Sequence, residues 1–292
     1  MTAAPLLVVP ERGPLRNRLD LCVSMIAEMG AVANQVRADD GTTIVYTVFA
    51  GEGPTVVILH GLAGSSREFI PTAHALGGRR VILIDQRGHG RSTTRPADTS
   101  RGAFVTDVVR VIMAETSEPV DVVGQSMGAH TAMLVAAIRP DLVRRLVMLE
   151  RNQGGGTAEE HTALRDYFRS WTVPFASRAA AAAALGDGPL ERAWVDDLEK
   201  RTDGLHPRFD ADVMQATIEA VEEPRWAEWE AVEVPVLVIY ADGGMFSESE
   251  KSEFVRRGRN VEREDLSNAS HDAHLDAFDQ WIDALRRFIA AR

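Results

Sequence analysis

Short, nearly continuous apolar runs recur along the chain: Val56–Leu59, Val81–Ile84, Val120–Val123, Leu146–Leu149 and Val236–Tyr240. Runs that are apolar at every position suit strands covered on both faces, as in a parallel sheet. Segments of helical spacing separate them, among them Ala103–Ala114 and Met127–Ile138. Ahead of these runs, Val32–Val36 and Thr43–Phe49 alternate as two antiparallel strands joined through Asp39-Asp40-Gly41, a turn sequence. Strand, helix, strand, helix predicts an α/β fold with a doubly wound, mostly parallel sheet. Later segments extend it: Ser249–Arg257 reads as a helix, Val261–Leu266 as a weaker last strand. Leu275, Phe278, Trp281, Ile282, Leu285, Phe288 and Ile289 form one face of a C-terminal helix.

Two regions break the rhythm. Residues 14–29 have the spacing of an amphipathic helix, which suggests an N-terminal arm over residues 1–30. Residues 151–234 lack a convincing strand and hold Trp171, Trp194, Trp226 and Trp229. This stretch reads as a helical cap inserted after the sixth strand, between core segments 31–150 and 235–292. Its aromatics suit either the cap's own small core or the wall of a site for a hydrophobic group.

Composition narrows the classes of partner. The 292 residues are 45% hydrophobic and 26% charged, an ordinary globular balance, and the formal net charge is −11. That charge repels phosphate backbones and anionic lipid surfaces, so neither nucleic acid nor membrane is an expected partner. The single cysteine, Cys22 amid Leu21, Val23 and Ile26, reads as a small buried hydrophobe. With no signal-peptide core and no membrane-length apolar stretch, a cytoplasmic location is the expectation.

The chemistry concentrates in Gly124-Gln125-Ser126-Met127-Gly128, which follows a strand and opens a helix. A serine at such a turn sits in a strained backbone, with glycines removing the Cβ clashes, and its hydroxyl projects above the sheet's carboxyl edge. His60-Gly61-Leu62-Ala63-Gly64 follows another buried strand. A turn there can aim the Leu62 amide at the same point as the Met127 amide, giving two donors for an oxyanion, each typically worth ~3 kcal/mol. His60 itself reads as a buttress of that loop.

Together with Asp85-Gln86-Arg87-Gly88-His89-Gly90-Arg91-Ser92, these motifs resemble, in order and spacing, the lidded α/β-hydrolase superfamily from about residue 31 onward. The resemblance implies that the Asp85–Ser92 loop is structural, with an Arg87–Asp85 pair shaping it. It implies that the base is His271, in Asn268-Ala269-Ser270-His271, with His274 packing or capping nearby. The family's acid usually follows the strand at 236–240, which makes Asp242 the first choice. The common form carries its carboxylate a residue or two further on, where this chain has Gly243 and Gly244. Glu150, ending the preceding strand, is the alternative acid, and Asp272 sits too close to His271 in sequence to face it.

The resulting expectation is a serine hydrolase cleaving a carboxylic ester or lactone through an acyl-enzyme, with no metal and no organic cofactor. Its partner would be a small-molecule substrate with a hydrophobic part; oligomeric state is left open. A serine at the elbow argues against epoxide hydrolases and haloalkane dehalogenases, which use aspartate there. A thioesterase, a carbon–carbon bond hydrolase, a perhydrolase and a ligand-binding protein of the same fold all keep the serine and remain alternatives.

Overall fold

The computed structural model describes residues 31–290. The expected N-terminal helix and Cys22 lie outside the described residues. The strands are β1 (Ala31–Arg37), β2 (Thr43–Phe49), β3 (Gly53–Leu59), β4 (Arg79–Ile84), β5 (Val120–Gln125), β6 (Val143–Leu149), β7 (Glu199–Lys200), β8 (Leu205–His206), β9 (Val236–Gly243) and β10 (Val261–Ser270). Eight of them form one sheet in the order β1-β2-β4-β3-β5-β6-β9-β10. β2 runs antiparallel to both β1 and β4, and every other neighbouring pair is parallel. β3 and β5, the strands before the two motif-bearing turns, are adjacent, with Leu59 opposite Gly124. Their carboxyl ends therefore bring the Leu62 loop and the serine turn together.

Alternation along each strand feeds two buried layers. Val57 and Leu59 of β3, with Ile82 and Ile84 of β4, pack beneath the helices Arg101–Glu115 and Met127–Ile138. Val56, Ile58, Val81 and Leu83 point the other way, into a layer closed by the helix Phe278–Ala290. That helix buries Trp281, Ile282, Leu285, Phe288 and Ile289, and the Trp281 indole donates to the Thr72 hydroxyl at 3.1 Å. Leu275 lies outside it, on the separate short helix Ala273–Asp276.

Between β6 and β9 the chain forms the helices Ala158–Arg169, Arg178–Leu185, Pro189–Asp197, Ala211–Val221 and Trp226–Ala231, plus the two-residue pair β7–β8. Phe168, Trp171 and Phe175 are buried together, with Trp194 and Phe209 packed against them, over Leu62 and Ala63. Trp226 and Trp229 do not join this cluster. Trp229 is fully buried in the layer under the elbow helix, stacked on Phe254 at 4.1 Å, and its indole donates to the Phe254 carbonyl at 2.8 Å. The segment carrying them thus packs as part of the core. Among the described residues, no helix is long and apolar enough to cross a membrane.

Candidate active site

Ser126 ends β5's turn with φ 50° and ψ −117°, a conformation that L-residues adopt only under strain. Tight packing holds it there: a Cβ at Gly124 would lie 2.4 Å from the Ala129 amide nitrogen, and one at Gly128 would lie 2.2 Å from the Leu59 carbonyl. The Ser126 amide donates to the Leu149 carbonyl at 2.9 Å, tying the turn to the end of β6. Ser126 is half-buried, so its side chain is within reach of a ligand. Met127 is the first residue of the helix, where the N–H has no intrahelical acceptor.

The loop after β3 is braced from below. The His60 Nδ1 lies 2.7 Å from the Gly61 carbonyl, and its Nε2 accepts from the Gln86 amide at 3.0 Å. Burial pushes the His60 imidazole below its ordinary value despite nearby carboxylates, which keeps it neutral. Both nitrogens are spent on backbone, so His60 is a buttress. In the following loop, Asp85 accepts from Arg91 Nε at 2.8 Å and from the Ser66 amide at 2.8 Å. The expected Arg87–Asp85 pair is not formed. Arg87 instead grips Asp107 through Nε and Nη2, at 2.6 and 2.9 Å, and Asp40 through Nη1 at 2.9 Å. Those partners are distant in sequence, which local spacing does not reveal.

His271 follows β10, and its Nδ1 lies 3.3 Å from Glu150 Oε2. Glu150 is fully buried at the end of β6, with φ 51°. Its Oε1 accepts from the Ala241 amide at 2.8 Å and its Oε2 from the Met245 amide at 3.0 Å. Burial alone would raise this carboxyl, but the hydrogen bonds from His271, Ala241 and Met245 outweigh it and hold the group below its ordinary value. It is an ionised carboxylate with every oxygen occupied, one of them by the imidazole.

Asp242, the first choice from sequence, lies elsewhere. It is exposed, and its two oxygens accept from the amides of Asn268 and Ala269 at 2.9 and 3.1 Å. Those amides hold its carboxyl below the usual range. Asp242 fastens the loop that leads to His271; it does not touch the ring. The glycines beyond it have a physical role in this arrangement. A Cβ at Gly244 would lie 2.3 Å from Glu150 Oε1, so the position must be bare for the buried carboxylate to fit.

Two contacts near the site escaped the sequence reading. The Gln125 side-chain amide donates to the His271 carbonyl and to Asp272 Oδ1, each at 3.2 Å. It ties the histidine loop to the residue before Ser126 and also occupies Asp272. Its only sequence signal was its place within the motif, where the side chain follows no rule. His274 is fully buried, stacked on Phe69 at 4.4 Å with Nε2 3.4 Å from Glu68 Oε2, in the packing role expected of it.

The topology agrees with the comparisons to known proteins. A family model described as alpha/beta hydrolase fold matches residues 54–185. The solved structure of E-2-(acetamidomethylene)succinate hydrolase superposes with a TM-score of 0.80 at 23% identity, covering 89% of this chain and 100% of that one. The chain has the α/β-hydrolase fold. Among similar proteins, the sn-1-specific diacylglycerol lipase ABHD11 of Mus musculus is 28% identical over 262 residues, 84% of each chain. The (E)-2-((N-methylformamido)methylene)succinate hydrolase of Acinetobacter baylyi is 34% identical over 100 residues; that match spans 34% of this chain and 38% of the relative. As a hydrolase of the α/β fold, the chain places its elbow, its late histidine and one buried carboxylate after β5, β10 and β6 of one sheet.

Proposed function

We propose that this α/β-hydrolase cleaves a carboxylic ester or lactone, with Ser126 as nucleophile, His271 as general base and Glu150 as the acid that orients the base. The observation that carries the reading is the His271–Glu150 pair, fastened through Gln125 to the strained serine turn.

Each group suits its part. Glu150 is ionised and immobilised by two backbone amides, so it holds Nδ1–H and balances the charge of an imidazolium. Nε2 of His271 is then left as the acceptor for the Ser126 proton. The serine oxygen bonds to the substrate's carbonyl carbon while the carbonyl's π pair moves to oxygen. The amides of Leu62 and Met127 receive that oxyanion. Collapse expels the alkoxide, which takes the proton from His271, and leaves an acyl-enzyme. A water molecule, deprotonated by the same imidazole, releases the acid and restores Ser126. The mouse relative's name as a diacylglycerol lipase supports ester chemistry at this site. The aromatic cluster over Leu62 and Ala63 supports a substrate with an apolar part.

The test is reaction with a fluorophosphonate probe, followed by digestion and identification of the modified peptide. Modification at Ser126, absent in Ser126→Ala, is expected. A folded wild type that stays unmodified contradicts the reading.

A further inference from the structure

Beside the helix that follows Ser126 lies a second polar feature that the proposed reaction leaves unused. Arg101 opens the helix Arg101–Glu115 and is only 3% exposed. Its Nη2 bonds the Thr131 hydroxyl, and its guanidinium lies 4.3 Å from the centre of the Phe104 ring. Its Nε and Nη1 are buried without any acceptor. The Thr131 hydroxyl in turn has two acceptors for its one hydrogen, Gln86 Oε1 at 3.0 Å and the Met127 carbonyl at 3.1 Å, which places Arg101 beside the turn of helix that follows Ser126. Phe104 packs with Met127 and Val221, against Leu62 and Ile218, so the arginine lies on the far side of Phe104 from the side chains of the two residues whose amides are assigned to the oxyanion.

Its surroundings supply donors and positive charge. Arg151 and Arg225 are close enough to repel Arg101, but each has carboxylates of its own: Arg151 pairs with Glu222 at 2.9 Å, and Arg225 with Glu223 at 2.6 Å. Of the three, Arg101 alone makes no ion pair among the described residues. His130, on the elbow helix, is fully buried with neither ring nitrogen bonded, and so is the Thr217 hydroxyl on the cap helix that supplies Ile218 and Val221. Burial, and then the fields of Arg151 and Arg225, press the Arg101 guanidinium down to about 9. A buried cation with two unmet donors is costly unless something pairs with it, and a guanidinium fork matches a carboxylate.

Resting on the serine-hydrolase reading, we propose that Arg101 determines specificity by receiving a carboxylate of the substrate, with His130 and Thr217 as further polar partners. The substrates would then be esters or lactones that also carry an acid group. A neutral lipid would leave the arginine unpaired.

The experiment compares para-nitrophenyl hydrogen glutarate with its neutral isostere, in which an isopropyl group replaces the carboxylate. The ratio of kcat/KM for the two esters is measured in wild type, Arg101→Met and Arg101→Lys. Wild type should prefer the charged ester by at least about tenfold, since a site built for a charged group rejects the analogue lacking it. Arg101→Met should collapse that ratio through KM, and Arg101→Lys should restore part of it. A wild type without preference, or a preference that survives in Arg101→Met, overturns the inference. Should Arg101→Met fail to fold, Thr131→Val removes the hydroxyl that anchors the guanidinium, and its ratio should fall as well; an unchanged ratio there counts against the assignment. Calorimetric binding of glutarate to Ser126→Ala reads the anion site without turnover. Binding there that disappears in Ser126→Ala/Arg101→Met supports the inference. Fluorophosphonate modification of Ser126 without any glutarate binding defeats only the Arg101 assignment. Glutarate binding by a chain whose Ser126 is never modified defeats the hydrolase reading and keeps Arg101 as a ligand site.

Discussion

The carboxyl ends of β6 and β9 lie side by side, and each is followed by an acid, Glu150 and Asp242. One is fully buried, receives two backbone amides and faces His271; the other is exposed and receives two amides of the loop that carries His271. Both are held below their ordinary values by hydrogen bonds, Glu150 by His271 and two amides and Asp242 by amides alone, so ionisation does not separate their roles. What separates them is position. β9 continues to Gly243, and Asp242 turns toward β10, whereas the positive φ at Glu150 folds its carboxylate back into the space left by Gly244. The same sheet offers two places for a carboxylate near the histidine loop, and a single missing Cβ accompanies the one that faces the ring.

Substitutions can break that comparison. The largest effect belongs to neither acid: Ser126→Ala should abolish turnover of activated esters. Next, Glu150→Gln should lower kcat about a thousandfold or more, because an amide can no longer compensate the imidazolium. Gly244→Ala should follow with a loss of about ten- to a hundredfold in kcat, since a displacement near 1 Å at a catalytic group is that costly. Asp242→Asn should come last, within about threefold, because a fastening of exposed backbone contributes little. Circular dichroism on each variant separates lost chemistry from lost fold.

Glu68 sharpens the contrast from another side. It is also a buried carboxylate, but it has one backbone amide, from Ser65, and the neutral ring of His274. Burial therefore wins and pushes it to about 7, while burial pushes His274 down to about 4. The signs oppose. Between its ordinary value and about 7, folded Glu68 keeps a proton that the unfolded chain releases, so its contribution to stability falls as pH rises. Between about 4 and its ordinary value, unfolded His274 holds a proton that the folded chain excludes, so its contribution grows as pH rises. In wild type the two largely offset. Thermal melts of Glu68→Gln should show Tm climbing more steeply than wild type from pH 4 to 6.5. An unchanged slope contradicts the pairing of these two shifts.

How much of this was legible beforehand follows from where each determinant resides. Apolar runs and the glycine-flanked serine are local, so the strands, the helix Met127–Ile138 and the turn at Ser126 could be placed from sequence. The late histidine came by resemblance, and the structure sets His271, not His274, against a carboxylate at a strand end. That Glu150 faces His271 while Asp242 does not depends on how β6 and β9 pack laterally, which no short window contains. Pairing of Arg87 with Asp107 rather than Asp85 is long-range in the same way, as is the placement of Trp229 in the core. The unmet donors of Arg101 are visible only when its surroundings are known.

The most direct test is the rate of fluorophosphonate modification at Ser126 in four proteins: wild type, Ser126→Ala, Glu150→Gln and Asp242→Asn. The expected order is wild type and Asp242→Asn nearly equal, Glu150→Gln slower by orders of magnitude, and Ser126→Ala unreactive. Rapid modification of Glu150→Gln together with a slow Asp242→Asn would contradict the assignment and return the acid to the end of β9.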